Sequence, residues 1–232
     1  MGLMRLAPPL ALLGALLGGC ASTPPQMPIS LSAQAVGAGT GRIGVVMKKL
    51  PVVDTSLPGA GCLLCLAAAS VANSQVTTFA KKLPYEELPK LKEDVAALLR
   101  KRGADVVVIA EDVNIDALPT TGSKLPNVST RDFVSLKTKY SIDRLLVLEI
   151  DLLGFERTYS SYVPTSDPKA VLRGRGYMVN LASNAYEWYL PVSIIRSSDG
   201  PWDEPPKFPG LSNAYFQTVE LGRDAFLQPF GK

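Results

Sequence analysis

The sequence predicts an α/β (α+β) sandwich, in which helices pack on a mixed sheet of about five strands. Five segments have the apolar and β-branched composition that is typical of strands, namely 42–47, 105–110, 144–155, 170–182 and 185–195. Helical patterns separate the earlier strands, as they do where parallel strands are connected, whereas Ser183-Asn184 between the last two suits a tight antiparallel hairpin. The predicted order of elements is therefore β-α-α-β-α-β-β-β-α.

The helices are predicted from the spacing of apolar residues. A loop at 48–61 leads into a stripe with steps of three and four positions, formed by Cys65, Ala68, Ala72, Val76, Phe79 and Leu83. A second helix at 84–102 has leucines on one face and ends in basic residues before Gly103. Two further helices are expected at 129–140 and 211–227.

The first residues have the composition of a secretory signal. Arg5 supplies a positive start, and a short apolar run at 6–17 follows it. The letters "LGGC" at 17–20 resemble the lipobox of bacterial lipoproteins, in which the signal is cut just before the cysteine. This resemblance implies that a signal peptide at 1–19 is removed, and that Cys20 carries a thioether-linked diacylglycerol and an acylated amino group.

The residues after the lipobox predict where the protein is held. Position 21 is Ala and not Asp, which by resemblance to Gram-negative sorting rules implies an outer-membrane lipoprotein that faces the periplasm. Residues 20–41 are rich in Pro, Ser, Thr, Gly and Ala and are expected to form a flexible tether. The remaining 42–232 is long enough for a single domain with its own core, so the expected membrane contact is the lipid on Cys20.

The composition excludes several classes of function. The chain contains no His, which removes Ser-His-Asp and Cys-His catalysis and His-ligated zinc. The formal net charge is +3 without a long basic run, so nucleic acid is not an expected partner. We accordingly predict no catalytic residue, no metal site and no cofactor.

Cys62 and Cys65 form a C-x-x-C pair within the apolar letters "GCLLCLAAAS". Such a pair occurs as a redox centre, as half of a metal site, as buried thiols or as a structural disulfide. The oxidising envelope favours a disulfide that staples the start of the first helix. Redox activity and metal binding remain as alternatives.

Glu149 and Asp151 alternate on one face of the central strand, and Arg173 and Arg175 share one face of the next. If these strands pair antiparallel, the four side chains form structural cross-strand ion pairs. The alternative is a carboxylate-dependent hydrolase, in which Glu149 and Asp151 act as general acid and base. No nucleophile or cofactor motif completes such a site.

A loop at 197–210 contains Trp202 and Phe208 among several prolines. We expect this loop to cover one end of the sheet. The alternative is that it recognises a ligand or a glycan, which would make the protein a periplasmic binding module.

The element order over 42–227 resembles a known group of envelope proteins. The segments that carry the resemblance are "GRIGVV", "LKEDVAALLRKRGADVVVI", "KYSIDRLLVLEID" and "RGRGYMVNLASNAYEW". They are similar to outer-membrane lipoproteins with a TolB amino-terminal/CsgG-like α/β domain, also described as anticodon-binding-like. The resemblance implies a non-enzymatic structural or accessory component of a cell-envelope assembly or export complex. It also implies contacts with further copies of the chain, as in a ring or another homo-oligomer, or with other envelope proteins.

Overall fold

The computed structural model describes residues 25–231, and within this range the chain is built on a mixed sheet. The strands of this sheet are β1 (Arg42–Met47), β2 (Asp54–Ser56), β3 (Asp105–Val108), β4 (Arg144–Glu156), β7 (Lys169–Asn180) and β8 (Tyr186–Ser197). A separate small hairpin is formed by β5 (Tyr159–Ser160) and β6 (Val163–Pro164). The helices are α1 (Ala33–Val36), α2 (Leu63–Ala72), α3 (Ser74–Ala80), α4 (Leu91–Lys101), α5 (Val134–Tyr140) and α6 (Pro209–Leu227).

The main sheet has the strand order β3-β1-β4-β7-β8. β1 runs parallel to both β3 and β4, while β4, β7 and β8 form an antiparallel meander. The predicted mixed sheet with helices packed on it is confirmed. The short β2 was expected as part of a loop, and it extends the parallel edge by pairing with the far end of β4 at Gly154–Glu156.

The two faces of the sheet are covered by different elements. On one face, α3, α4 and α6 pack over a large apolar cluster, and α4 contributes the fully buried Leu91, Val95 and Leu99. On the other face, α5 and the segment before it cover a smaller cluster that includes Phe133 and Tyr177. Farther along β4 and β7, the side chains of Asp151, Arg173 and Arg175 are partly exposed.

The predicted boundary between tether and domain at residue 42 needs correction. Ile29 exchanges two backbone hydrogen bonds with Tyr189 on β8, at 2.9 and 3.1 Å, and Val36 in α1 is buried in the main core. Edge strand β8 has unpaired backbone groups at this point, which an extended segment satisfies. The chain therefore joins the domain from Ile29 onward. Cys20 and the signal peptide at 1–19 lie outside the described residues.

The single helix predicted over 65–83 is wrong, because two helices replace it. α2 and α3 meet at Asn73 with a bend of 69°. The buried positions are Cys65, Ala69, Asn73, Val76 and Ala80, and not the expected stripe through Ala68 and Ala72. The Asn73 side chain donates to the Ala69 carbonyl at 2.7 Å, and Asn side chains that bond to nearby backbone compete with regular helix.

Candidate functional site: an exposed apolar helix

Helix α2 presents its large apolar side chains to solvent. Leu63 is 86% exposed, Leu64 69% and Val71 76%, and Leu66 is also exposed. The helix faces the domain with Cys65 and Ala69, which are small. A helix on the surface of a soluble domain normally has the opposite arrangement, and contiguous exposed apolar residues mark interaction sites.

The small β5–β6 hairpin extends this apolar area. Tyr162 and Val163 at its tip are both exposed, and the Tyr162 hydroxyl lies 3.7 Å from the Cys62 sulfur. We call the exposed side chains of α2 and this tip the α2 surface. It consists of Leu63, Leu64, Leu66, Val71, Tyr162 and Val163.

Charge is absent from this part of the chain. Residues 55–80 contain no Asp, Glu, Lys or Arg. No single helix within 25–231 is both long and apolar enough to cross a bilayer, but the bent pair of α2 and α3 meets the criteria of length and composition together. The α2 surface therefore suits apolar contact with a macromolecular partner and does not suit recognition of a charged small molecule.

The domain holds α2 from behind through a small cluster. Ala60, Cys65 and Ala69 pack on Tyr159. Gly59 comes so close to this hairpin that a Cβ atom on it would lie 1.8 Å from the Tyr159 carbonyl oxygen, and its φ of +88° also requires glycine. The helix is thus seated on the domain by side chains that leave its leucines outside.

Polar contacts at the bend hold α2 in the same position on the domain. The buried Asn73 side-chain amide donates to the Tyr159 hydroxyl at 2.6 Å, and its Oδ1 accepts a hydrogen bond from Arg157 at 3.3 Å. Arg157 in turn stacks on Trp202, 4.8 Å from the ring centroid. These bonds satisfy a buried polar side chain, so they position α2 with a defined direction.

Cys62 and Cys65 are joined by a disulfide at the start of α2. Cys62 is the N-cap residue, and its sulfur accepts a hydrogen bond from the Cys65 backbone N–H at 2.9 Å. Cys62 is exposed, whereas Cys65 is only 2% exposed. The bond closes the first turn of a helix whose outer face has no support from the rest of the domain.

The carboxylates that suggested a hydrolase are both engaged by one cation. Glu149 is buried and pairs with Arg175, its direct neighbour across β4 and β7, while exposed Asp151 lies 3.2 Å from the same guanidinium. Tyr177 donates to Glu149 at 2.7 Å, and burial together with the Glu149 charge raises the pKa of the Tyr177 phenol far above its usual value. This arrangement leaves no free carboxylate pair for general acid and base work.

Arg173 has a partner that the sequence reasoning missed. It donates two hydrogen bonds to Glu156, at 2.5 and 2.9 Å, and pairs with neither Glu149 nor Asp151. The register of β4 and β7 shifts between Ile150 and Leu152, which breaks the simple alternation assumed for the strand. The Arg173 guanidinium lowers the pKa of the Glu156 carboxyl. No sequence signal locates such a shift in advance.

The proline-rich loop packs onto the end of the sheet, as expected. Phe208 is buried in the main core and its ring lies 5.2 Å from that of Phe79 on α3. Between α3 and this loop runs an open groove lined by Ser74, Gln75, Thr78, Phe79, Lys82, Pro205, Pro206 and Phe208. Within residues 25–231 no group of three or more His, Cys, Asp or Glu side chains is arranged to hold a metal ion.

No family model matches this chain, and no curated protein matches it. Among solved structures, it is similar to the PelC dodecamer from Paraburkholderia phytofirmans, with a TM-score of 0.33 and 11% identity, over 88% of this chain and 95% of that chain. Lipoprotein GNA1162 from Neisseria meningitidis has a TM-score of 0.31 and 11% identity, over 78% and 98% of the two chains. Protein XCC0632 from Xanthomonas campestris, of the DUF330 family, has a TM-score of 0.33 and 10% identity, over 88% and 94%. The similarity is structural and lies at low TM-scores.

Proposed function

We propose that this protein is a non-enzymatic structural component of the bacterial envelope, anchored through Cys20 to the outer membrane and facing the periplasm. We further propose that it assembles with other copies of itself through the α2 surface. The observation that carries the proposal is the exposure of Leu63, Leu64 and Val71 on a helix that the domain holds in place. An isolated domain gains no free energy of folding from the outer face of this helix, because the apolar side chains stay in water.

The position of the chain's entry into the domain supports assembly between anchored copies. Gln26 bonds to Asn127, and Asn127 bonds to Tyr186 beside the β7–β8 turn, so the first described residues lie at that end of the sheet. Helix α2 is seated on Tyr159, past the other end of β4. Strand β4 alone has 13 residues, so roughly 40 Å separates the two ends at about 3.3 Å per residue.

Copies anchored in one membrane would therefore present α2 at a common distance from it. Two such surfaces meet without like-charge repulsion, because 55–80 contains no charged residue. Contact between the α2 surfaces of two copies would give a two-fold pair, whereas contact between α2 and a different patch of the next copy would give a ring if the rotation closes. The mass of the oligomer distinguishes the two arrangements.

The assembly is tested on the lipid-anchored protein, extracted in mild detergent, by multi-angle light scattering over a range of concentrations. We expect a discrete oligomer, and we expect the double variant Leu63→Ser, Leu64→Ser to shift it to the single copy. Leu125→Ser is the matched control, because Leu125 is also 69% exposed but lies beside Asn127 at the other end of the domain. A wild-type protein that stays a single copy at membrane-like concentration would refute the proposed assembly.

The anchor is tested separately by incorporation of labelled palmitate in the producing cell. We expect label on the wild-type protein and none on Cys20→Ala. Wild-type protein that is processed and released without label would show a conventional secreted protein. That result would remove the anchor and leave the α2 surface to be judged by the oligomer experiment alone.

A further inference from the structure

The disulfide at the start of α2 has an asymmetry that a structural staple does not require. Cys62 is open to solvent, whereas Cys65, one turn into the helix, is 2% exposed. Cys62 is therefore the residue of the pair that an incoming thiolate can approach. Access of this kind decides which sulfur is attacked in thiol–disulfide exchange.

The backbone around Cys62 favours a thiolate at that sulfur. The Cys65 N–H donates to it at 2.9 Å, and the first turn of α2 contains no acidic residue. Free N–H groups at a helix start stabilise a negative charge, and a C-x-x-C pair placed there is the arrangement found at reactive cysteines. As predicted, a loop leads into the pair, and strand β2 ends before this loop at Ser56.

The surroundings of Cys62 fit a polypeptide better than a small thiol. Leu63 and Leu64 beside it are among the most exposed apolar residues of the described chain, and Tyr162 closes the other side with its hydroxyl 3.7 Å from the sulfur. Apolar and aromatic side chains around a reactive sulfur offer contact to an unfolded or extended segment. These side chains also belong to the α2 surface, so a polypeptide would compete for them with a second copy of the chain.

We propose that Cys62–Cys65 is a redox-active disulfide that exchanges with a pair of cysteine thiols on a polypeptide. A thiolate of the polypeptide attacks the Cys62 sulfur, and the electron pair of the disulfide leaves with the Cys65 sulfur, which takes up a proton. The second thiol of the polypeptide, as a thiolate, then attacks its own sulfur in the mixed disulfide and releases Cys62. The polypeptide dithiol is oxidised to a disulfide, and Cys62 and Cys65 are reduced to two thiols.

The exchange does not rest on the proposed assembly, because one copy contains every residue involved. It requires an uncovered Cys62 and therefore belongs to the free copy, so the three experiments below are made on protein diluted until only single copies are present. Failure of assembly would leave the exchange intact, and failure of exchange would leave the oligomer intact.

The first experiment treats the folded, lipid-anchored protein with a large excess of reduced glutathione, followed by alkylation and peptide mapping. We expect thiols at both Cys62 and Cys65, and we expect oxidised glutathione to reverse the reaction. A disulfide that opens only after the protein is unfolded would be a structural staple, and this outcome would overturn the proposal.

The second experiment compares Cys65→Ser, which leaves Cys62, with Cys62→Ser, which leaves Cys65. The two variants are matched because each removes the same disulfide. We expect Cys62 to react with an aromatic disulfide reagent at least about tenfold faster than Cys65, given its exposure and its N–H donor. Equal rates in variants that are both folded by circular dichroism would contradict the assigned roles.

The third experiment supplies a reduced two-cysteine peptide with apolar residues between its thiols. We expect the oxidised protein to convert it to the disulfide form. Supplied instead with the oxidised form of the same peptide, Cys65→Ser should form a mixed disulfide, because the Cys62 thiolate attacks the peptide disulfide and releases one peptide thiolate. The Leu63→Ser, Leu64→Ser variant should slow this reaction several-fold while reacting normally with glutathione, and Leu125→Ser should slow neither. A peptide that stays reduced, or equal rates in all variants, would overturn the polypeptide as substrate.

Discussion

Helices α2 and α4 have opposite arrangements of apolar side chains on one domain. In α4, Leu91, Val95 and Leu99 are fully buried, and acidic residues in the first turn and basic residues in the last complement the helix dipole. In α2, the leucines point to water and small residues face the domain. The difference teaches that the folding of one chain explains the apolar residues of α4 but not those of α2, for which we propose contact with another copy.

The largest expected effect tests the α4 side of this comparison. Leu99→Ala removes a fully buried side chain from the main core and should lower the free energy of unfolding by about 2–5 kcal/mol. Urea unfolding of the single copy measures it. A loss below about 1 kcal/mol would mean that α4 is packed more loosely than its burial indicates.

The next variant, Asn73→Ala, tests the hydrogen bonds that hold α2 on the domain. This change leaves the Tyr159 hydroxyl without its partner at 2.6 Å and should cost about 1–3 kcal/mol. Hydrogen exchange should then rise in α2 and stay unchanged in α4. Tyr159→Phe, which removes only the hydroxyl, is the control and should cost less. Equal exchange in α2 before and after Asn73→Ala would show that the bend does not hold the helix.

Acid titration tests the ion pairs between β4 and β7 without acting on α2 directly, because α2 and α3 have no charged residue. Arg173 lowers the pKa of Glu156, so this carboxylate contributes stability that is present above its unfolded value near 4.3 and is lost as pH falls through the lower folded value. Glu156→Gln should cost about 1 kcal/mol at neutral pH and show a smaller loss on acidification. Unfolding curves across this pH range measure both effects. An unchanged pH dependence would assign the acid sensitivity to other carboxylates.

The smallest expected effect is the most informative for α2. Leu64→Ala is the same chemical change as Leu99→Ala, but it should alter the stability of the single copy by less than about 0.5 kcal/mol, because Leu64 is already in water. Dilute urea unfolding gives this value. A loss as large as that of Leu99→Ala would mean that α2 packs on its own chain.

The long strands could be predicted from runs of apolar and β-branched residues, and α4 from the regular spacing of its leucines. The exposed α2 surface could not be predicted, because leucines at 63, 64 and 66 are equally compatible with a buried position in the core. The sequence identifies the C-x-x-C pair as a candidate, but the surroundings of each cysteine depend on the β5–β6 hairpin, about a hundred residues away. The Glu156 pair was missed because the shifted register near Leu152 depends on how two strands meet.

By itself the sequence determined a mixed sheet with helices, a lipobox-like start, the absence of His chemistry and the pair Cys62 and Cys65. These follow from composition and from short-range periodicity, which each segment carries alone. Only the tertiary structure decided that the helix breaks at Asn73, that the chain joins the domain at Ile29, and that the leucines of α2 face outward. These depend on contacts between residues far apart in the chain, such as Asn73 with Tyr159 and Ile29 with Tyr189, and no local pattern encodes them.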